Sequence, residues 1–530
     1  MAARSEHPRK PRQRLGPPSW PATPSSLRAR AGDGRRKRPF PQRLAPLPLA
    51  GAAAQGAGMI VMKFGGSSVA DAACMREAAA LVRGALPCSP LVVLSATAGS
   101  TDALFEAARR AERGDLAGAL ALHRDLEQRH RDIARDLFPS GIPQPLVQAL
   151  TELEAELEQL LGGVAALREL SPRSMDAVAS IGERLSSRLL AAHLEAAWVD
   201  ARTVVRTDDG FGFAAPSFPD LQALARERIA PLLGPGRAVV TQGCIGATAQ
   251  GATTTLGRGG SDFSAALLGA ALGAADIQIW TDVEGVLTCD PRLVPEAWPI
   301  AELSFAEAAE LAAFGAKVLH PATIQPAMAA GIPVTVRHTF HPRGRFTTIT
   351  AAAHAGRPIT ALAQRGPVTV ITVAASGQAD RGCFAAMAGA IRAFARHGIA
   401  VDLIATAKGS VCLAVDGAVP LEPLLVELGS LGTVAVARNR AIVAVVGERL
   451  KLTPGVSGRC FSALGGINIE MISMGANEMT LSLVVRREDS AAALRSLHAA
   501  FLQRPAGEDG QPAELARPWP EPEANVLHFV

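Results

Sequence analysis

The sequence lacks tyrosine altogether, and aromatic residues make up only 4% of its 530 residues. It also lacks any run of about 18 apolar residues, the length that a helix needs to cross a bilayer. The sequence therefore predicts no transmembrane helix and no membrane partner. Alanine, arginine, glycine and proline are abundant, which we attribute to coding bias more than to function.

Cysteine is scarce and scattered along the chain. The seven cysteines are odd in number, and no two of them form a Cys-x-x-Cys pair. This pattern argues against a disulfide framework and against a zinc ribbon, and it fits a reducing cytosol. Since the sequence holds no cluster of Cys and His either, we assign no metal ligand among the side chains.

Positive charge is concentrated in the first 58 residues. This segment carries 12 Lys and Arg against two acids, a net charge of +10, whereas the whole chain carries +4, so the remaining residues carry −6. A folded part with a mild negative charge gives no electrostatic reason to expect binding to nucleic acid.

Residues 1–58 are rich in Pro, Arg, Ser and Ala and show no hydrophobic period, so we expect them to be disordered. No apolar stretch of about 7–15 residues follows the basic ones, which argues against a secretory signal. An Arg-rich, acid-poor segment fits a transit peptide to a plastid. The segment also fits an upstream extension of the reading frame, because Met59 begins the first predicted strand. We prefer that interpretation and expect a cytoplasmic protein.

Strands and helices alternate from residue 59 onward. Apolar strands are predicted at Leu91–Leu94, Arg237–Gln242 and Asp276–Trp280, and residues 103–170 have a helical composition. This order predicts an α/β fold, a mainly parallel sheet covered by helices on both faces, over residues 59–355. In such sheets, ligands bind at the carboxyl ends of the strands.

An internal repeat follows. Gly398–Ala405 aligns with Gly466–Ser473 at an offset of 68 residues, and each copy lies in a β-α-β-β-α unit. This is the ferredoxin-like pattern. We expect two such domains, at residues 356–437 and 438–503, that either sense a ligand or serve dimerisation alone. The remaining residues 504–530 are rich in Pro, Glu and Gly, and we expect disorder and no further domain there.

The stretch Lys63-Phe-Gly-Gly-Ser-Ser-Val-Ala-Asp71 predicts an anion site. A buried strand, Met59–Met62, ends in a lysine and two glycines, and two hydroxyl residues then open a predicted helix. Glycines allow the backbone to approach an anion, and the first turn of a helix offers unpaired N–H groups. The alternative is an ordinary strand–turn–helix corner.

A second glycine-rich stretch, Thr253-Thr-Thr-Leu-Gly-Arg-Gly-Gly-Ser-Asp262, leads into an apolar helix predicted over Phe263–Leu272. It repeats the anion-site pattern, and Arg258 is suited to bind a carboxylate through two hydrogen bonds. A plain flexible loop is the alternative.

Four further stretches carry polar residues. Ser95–Asp102 is a loop after a strand, and Trp280–Arg292 contains turn residues. Ser180–Leu185 is expected at a helix start, and the alternative for Glu183 and Arg184 is a solvated pair. Phe314–Pro321 contains Lys317 and His320, and we expect the histidine to be structural more than catalytic. Together the motifs supply cations, backbone N–H donors and a few acids. Phosphoryl transfer needs this inventory.

Four of these motifs together resemble the aspartate kinase family. They are Lys63–Asp71, Thr253–Asp262, Trp280–Asp282 and Phe314–Pro321. That family belongs to the amino-acid kinase superfamily, and its regulatory half carries two ACT domains. The resemblance covers about residues 59–500 and is closest to the monofunctional, lysine-sensitive branch.

The resemblance implies that ATP, with Mg²⁺, phosphorylates L-aspartate to 4-phospho-L-aspartate, the first step toward lysine, threonine and methionine. It assigns catalysis to Lys63, Asp262 and Lys317. It assigns the nucleotide to Lys63, Gly65, Gly66, Ser67, Thr281, Asp282, Arg292 and Lys317. It assigns aspartate to Ser95, Thr101, Glu183, Arg258 and Gly259. In this scheme Arg258 binds the α-carboxylate, Glu183 binds the ammonium and Asp262 orients the lysines.

Two positions depart from the family pattern. Leu287 stands where the family often carries a tyrosine near the adenine, so that stacking is lost. Ala407-Lys408 stands where the lysine-sensitive branch carries Ser-Glu, and a lysine there would repel a lysine effector. We expect an amino-acid effector at the ACT domains, lysine and/or threonine, but not simple inhibition by lysine. We also expect a homodimer or a homotetramer.

The sequence leaves two alternatives to this function. One is a kinase for another acidic amino acid, against which the tandem ACT half and Arg258-Gly-Gly-Ser-Asp262 argue. The other is a non-catalytic amino-acid sensor with a kinase fold, against which the intact Lys63, Asp262 and Lys317 argue.

Overall fold

A computed structural model of the chain describes residues 58–315, 321–351, 358–375 and 379–503. The predictions of disorder at both ends of the chain fall outside these residues, except at residue 58. The predictions for Lys317 and His320 lie outside the described residues as well.

The secondary structure follows the alternation that the sequence predicts. The strands are β1 Ile60–Phe64, β2 Leu91–Leu94, β3 Ala197–Trp198, β4 Arg206–Thr207, β5 Val239–Gln242, β6 Ile245–Thr248, β7 Thr253–Thr255, β8 Asp276–Thr281, β9 Glu302–Ser304, β10 Val334–His338, β11 Thr347–Thr350, β12 Ala361–Ala375, β13 Leu403–Ala407, β14 Ser410–Asp416, β15 Gly432–Val446, β16 Met471–Met474 and β17 Thr480–Arg486. The helices are α1 Ala72–Gly84, α2 Ser100–Glu112, α3 Leu116–Leu137, α4 Gln144–Leu167, α5 Pro172–Leu194, α6 Phe218–Arg228, α7 Gly260–Leu272, α8 Phe305–Ala313, α9 Pro321–Ala330, α10 Ala379–Arg396, α11 Glu422–Gly429, α12 Val456–Ala463 and α13 Ser490–Phe501.

The main sheet has the strand order β3-β5-β2-β1-β8-β10-β11-β9. Strand β1 lies at its centre and pairs in parallel with β2 and β8. Side chains alternate along β1: Val61 packs in one hydrophobic core, and Met62 and Phe64 pack in the other, on the opposite face. Helices cover both faces, which is why a parallel strand can be apolar throughout. The predicted α/β class is confirmed.

A second sheet has the order β13-β14-β12-β15-β17-β16 and is antiparallel throughout. Its two central strands are each 15 residues long. The beginning of β12, Ala361–Arg365, pairs with the end of β15, Ile442–Val446, whereas the later residues of β12 pair with β14 and with the beginning of β15. The two predicted units are therefore joined through β12: its beginning pairs with the second unit, and its later residues pair within the first.

The predicted boundary between residues 437 and 438 falls inside β15. The sequence repeat places Ile442–Val446 in the second domain and Ala361–Arg365 in the first, but these two segments hydrogen-bond to each other. Side chains from both segments, with Ala361, Ala363, Ala444 and Val446 among them, also join the core that contains Leu311 of helix α8. The main sheet and the antiparallel sheet thus share one hydrophobic core.

Among the helices that the structure describes, none is long and apolar enough to cross a membrane.

Candidate active site

The carboxyl ends of β1, β2 and β8 lie side by side at one edge of the main sheet. Lys63 is near the end of β1, and its ammonium lies 2.6 Å from Oδ1 of Asp262. Their side chains are only 11% and 15% exposed, respectively. Asp262 is in the first turn of α7, so the second glycine-rich stretch is brought against the first. Burial strengthens this ion pair and fixes the position of the ammonium.

The two glycines after Lys63 pass between neighbouring backbones. The N–H of Gly65 donates to the carbonyl of Trp280 at 3.1 Å, on the adjacent strand β8. A Cβ on Gly66 would lie 2.9 Å from the carbonyl oxygen of Ala96, so no other residue fits there without a shift. The segment Gly66–Val69 forms a 3₁₀ turn, and α1 begins only at Ala72 with Asp71 as its N-cap.

The expectation that the two serines open an α-helix is therefore corrected, because a capping aspartate starts the helix further on. Ser67 lies in the 3₁₀ turn. Ser68 points away from the turn's amides: its hydroxyl lies 2.7 Å from the hydroxyl of Thr339 and donates to the carbonyl of Trp280 at 3.3 Å.

The loop that follows β2, residues 95–99, packs against the glycines of the β1 loop. The N–H of Ser95 donates to the carbonyl of Phe64 at 3.2 Å, and the N–H of Ala98 donates to the carbonyl of Gly66 at 3.1 Å. Thr101, one residue into α2, is half-buried beside this loop. The structure thus brings Ser95 and Thr101, both predicted from the sequence, to the same edge as Lys63.

Glu183 lies in the middle of α5, not at a helix start as the sequence suggested. The helix begins at Pro172, with Ser171 as its cap. Gly182 lies in its interior, where any larger residue would place its Cβ only 2.8 Å from that of Ala96. Glu183 is only 7% exposed, and burial raises the pKa of its carboxyl to about 7, although a hydrogen bond from the backbone of Ala96 opposes that shift.

Glu183 and Arg184 do not form a solvated pair. Arg184 is only 8% exposed and binds Glu156 through two hydrogen bonds of 2.7 Å. Glu183 is therefore left without an ion-pair partner in the part of the chain that the structure describes. A buried carboxyl without a cationic partner is suited to receive a cationic group of a ligand.

Arg258 projects from the loop between β7 and α7. Gly257 and Gly259 flank it in the left-handed region, at φ values of +80° and +73°, which favours glycine at both positions. The Arg258 side chain is exposed and has no ion-pair partner among residues 58–315 or the other described ranges.

Cys244 packs between this loop and Glu183. Its thiol donates to the carbonyl of Gly257 at 3.5 Å, and burial raises the pKa of the thiol to about 12.

Thr281 is the last residue of β8 and Asp282 follows it, at a strand end that β1 separates from the end of β2. The hydroxyl of Thr281 donates to Oδ1 of Asp282 at 3.1 Å, and Asp282 is exposed. Among the described residues, no contact brings Arg292 into this cluster, because its guanidinium pairs with Asp290, two residues earlier, at 2.9 Å. Its assignment to the nucleotide stays a prediction, as does that of Lys317.

Two residues that contribute to the site are not marked by any motif in the sequence. Asp176, only 2% exposed, accepts hydrogen bonds from the N–H of Gly212 at 2.8 Å and from the N–H and hydroxyl of Thr255 at 2.9 and 2.7 Å. It thereby anchors the strand that leads to Arg258. The other is Thr339, which binds Ser68 across 271 residues of sequence. No local pattern marks pairs so far apart.

No group of three or more His, Cys, Asp and Glu side chains that could hold a metal ion occurs within the described ranges. What the edge of the sheet does offer is a lysine fixed by an aspartate, a close-packed glycine turn, an exposed arginine and a buried acid. Such a set binds a phosphate beside a small ligand that carries both a carboxylate and a cation.

Comparison with known proteins identifies the family. A model described as "Amino acid kinase family" matches residues 58–338, and one described as "ACT domain" matches residues 443–501. Lysine-sensitive aspartokinase 3 of Escherichia coli K12 is 39% identical over 459 residues, which cover 83% of this chain and 98% of that protein.

Two solved structures of E. coli aspartokinase III are similar over the same extent. The complex with aspartate and ADP, in the R-state, has a TM-score of 0.73 at 37% identity and covers 83% of this chain and 99% of its own. The complex with lysine and aspartate, in the T-state, has a TM-score of 0.70 at 37% identity and covers 84% and 99%. By sequence and by fold, the chain belongs to the aspartokinase family, within the amino acid kinase family.

Proposed function

We propose that the chain transfers the γ-phosphoryl group of MgATP to the side-chain carboxylate of L-aspartate and forms ADP and 4-phospho-L-aspartate. The observation that carries the proposal is the Lys63–Asp262 ion pair of 2.6 Å at the end of the central strand, beside the close-packed turn at Gly66. The E. coli relative whose structure contains aspartate and ADP supports the choice of both substrates.

The reaction needs positioning and charge neutralisation more than proton transfer. A carboxylate oxygen of aspartate attacks the γ-phosphorus while the bond to the leaving oxygen of ADP breaks. Since the acceptor is already ionised, no general base is required. Lys63 and the amide of Gly66 would bind the transferring group, whereas the amide of Gly65 already donates to the carbonyl of Trp280. Asp262 holds the ammonium of Lys63 in place.

The aspartate side of the site would use opposite charges at its two ends. Arg258, exposed and without an ion-pair partner in the described part of the chain, would bind the α-carboxylate next to Gly259. Glu183, buried, would bind the ammonium. Ser95 and Thr101 would line the space between. A site built in this way requires both an acid and an amine on the acceptor, which favours an amino acid over a simple dicarboxylate.

The nucleotide side would use Ser67, Thr281, Asp282, Arg292 and Lys317. Mg²⁺ would enter with the ATP phosphates as part of the substrate. Leu287 is half-buried where the resemblance suggests the adenine, so an apolar contact would replace stacking.

We further propose that the product leads toward lysine, threonine and methionine, and that an amino acid regulates the enzyme through the ACT domains. The enzyme would act in the cytoplasm as a homodimer or a homotetramer. Lysine is bound in one structure of the E. coli relative. Lys408, exposed at the turn between β13 and β14, would disfavour a lysine ligand nearby. Titration of activity with lysine, with threonine and with both together tests this proposal; full inhibition by lysine alone would contradict the expected role of Lys408.

The activity is tested by trapping the acyl phosphate with hydroxylamine in the presence of MgATP and a panel of acidic amino acids. We expect hydroxamate from L-aspartate and far less from L-glutamate or N-acetylglutamate. Lys63→Ala should lower kcat by about 10³-fold, since a preorganised cation that binds the transferring group is lost. The control is Lys451→Ala, which removes an exposed lysine from the antiparallel-sheet half and should leave kcat unchanged.

Thermal unfolding of both variants must match that of the wild type for this comparison to hold. Near-normal turnover in a folded Lys63→Ala variant would contradict the assigned role, and a preference for another acceptor would contradict the substrate.

A further inference from the structure

A buried histidine on helix α3 contacts the loop after β2. His130 is fully buried, and its Nε2 lies 3.3 Å from the hydroxyl of Thr97 in that loop. The hydroxyl of Thr97 lies 2.5 Å from that of Ser100, the first residue of α2. Thr97 and Ser100 are both almost completely buried. A polar chain in such a place must be fully hydrogen-bonded, because each unpaired group costs free energy.

The protonation of His130 determines the direction of the hydrogen bonds that link it to Thr97 and Thr97 to Ser100. Nδ1 of His130 lies 2.8 Å from the carbonyl of Leu126, which can only accept, so Nδ1 carries the hydrogen. Burial lowers the pKa of His130 to about 4, with Arg129 lowering it further and Glu154 opposing, so the ring is neutral at pH 7. Nε2 is then an acceptor, Thr97 donates to it, and Ser100 donates to Thr97.

Arg129, the preceding residue of α3, also binds this loop. The guanidinium of Arg129 donates to the carbonyl of Ala98, and to that of Ala70 at 3.4 Å. The loop between these two contacts is the one that meets the active site: Ala98 donates to Gly66, and Ala96 approaches both Gly66 and Glu183. A displacement of the loop would therefore move the backbone that adjoins the phosphate turn and the buried acid.

We propose that His130 is a positioning residue for aspartate: through Thr97, and together with Arg129, it fixes the loop of residues 95–99 in the conformation that binds the amino-acid substrate. This inference rests on the proposed function for the identity of the substrate. His130 itself touches neither substrate; its effect is transmitted by one hydrogen bond to Thr97. The nucleotide side of the site, at Thr281 and Asp282, is not held by this contact.

Two conservative variants distinguish the effect of the hydrogen bond to Thr97 from the effect of side-chain packing. In His130→Asn, the amide nitrogen can replace Nδ1 and donate to Leu126, but nothing replaces Nε2. In His130→Gln, the amide oxygen can replace Nε2 and accept from Thr97. The loss of one hydrogen bond predicts a KM for aspartate that is about 3- to 10-fold higher in His130→Asn. His130→Gln should stay within about twofold of the wild type. Because the same loop also contacts Gly66 of the phosphate turn, the KM for MgATP in His130→Asn should rise too, but by clearly less than the KM for aspartate.

Thr97→Val provides a second test at a site where the shape is preserved. It should raise the KM for aspartate at least as much as His130→Asn does, because it also removes the acceptor of the Ser100 hydroxyl. The matched control is His123→Asn, on the same helix: His123 is also buried, and its Nδ1 has no hydrogen-bond partner within the described residues. It should lower the thermal midpoint without changing either KM. Equal losses in His130→Asn and His130→Gln, or an equal rise in the KM for MgATP, would show a merely structural role and overturn the proposal.

A spectroscopic measurement separates this inference from the proposed function. In protein labelled with ¹⁵N-histidine, the resonance that His130→Gln removes should report a neutral ring protonated at Nδ1, and Thr97→Val should shift its Nε2 signal. A protonated ring, or one protonated at Nε2, would overturn the proposed link. Failure of the wild type to form aspartyl phosphate would instead contradict the proposed function and leave this spectrum unchanged.

Discussion

The burial of Glu183 has a direct consequence for the pH dependence of the enzyme. The pKa of this carboxyl is raised to about 7 by burial, so in the free enzyme it is largely protonated below pH 7. A protonated carboxyl cannot form an ion pair with the ammonium of aspartate. We expect kcat/KM for aspartate to fall by about tenfold per pH unit below that pKa, because kcat/KM reports groups of the free enzyme. The measurement is the pH profile of kcat/KM.

Glu183→Gln should remove this acid limb and lower kcat/KM for aspartate at pH 8 by roughly 10- to 100-fold, the value of a charged hydrogen bond. If the acid limb persisted in the variant, another group would be responsible for it.

The same residue should show opposite effects on function and on stability. Since its pKa in the folded protein exceeds the ordinary value of 4.5, its contribution to stability is present below that value and is lost as the pH rises through about 7. Glu183→Gln should therefore be more stable than the wild type at pH 8, by on the order of 1–3 kcal/mol, and gain little at pH 5. Urea unfolding at the two pH values measures this difference, and equal gains at both would contradict the ionisation argument.

At the scale of one element, the turn after β1 distinguishes two adjacent glycines. A Cβ on Gly66 would lie 2.9 Å from the backbone carbonyl of Ala96, whereas a Cβ on Gly65 would have its nearest neighbours at 3.8 Å. We expect Gly66→Ala to lower the free energy of unfolding by about 1–3 kcal/mol through overpacking against backbone. Gly65→Ala serves as the control and should change it by less than about 0.5 kcal/mol. Similar losses in both variants would show that the cause is not the contact with Ala96.

The elements also show what the sequence can and cannot predict. Strand β2 and the glycine turn after β1 were predicted because they depend on neighbouring residues, whereas β1 itself, expected to end at Met62, continues through Lys63 to Phe64. Glu183 was misplaced because the reason that Gly182 sits inside a helix is Ala96, 86 residues earlier in the chain. Likewise, the repeat revealed two similar units, but nothing local in Ala361–Arg365 indicates that it pairs with the second unit. Contacts distant in sequence leave no periodic pattern.

At the scale of the whole molecule, the catalytic and antiparallel-sheet halves are joined by polar contacts as well as by their shared core. Glu307 of α8 is fully buried and accepts a hydrogen bond of 2.5 Å from the hydroxyl of Thr360, next to β12. Glu310 of α8 accepts one of 2.7 Å from Thr480. On another side, the hydroxyl of Thr288 lies 3.0 Å from Nε2 of His498. Hydrogen bonds between buried groups require both halves to be folded, so we expect the halves to unfold together.

Thr360→Val tests this cooperativity. The substitution leaves Oε1 of Glu307 buried without its hydroxyl donor, while Oε2 keeps its bonds from the N–H and hydroxyl of Ser304 at 3.0 and 3.2 Å. An unsatisfied buried acceptor costs about 1–3 kcal/mol. Calorimetry should therefore show one transition in the wild type and one transition, at a lower temperature, in Thr360→Val. Thr433→Val, an exposed position on β15, is the control and should leave the midpoint unchanged. A variant in which one part of the heat absorption stays at the wild-type temperature while another part moves down would show that the two halves unfold separately, despite the core they share.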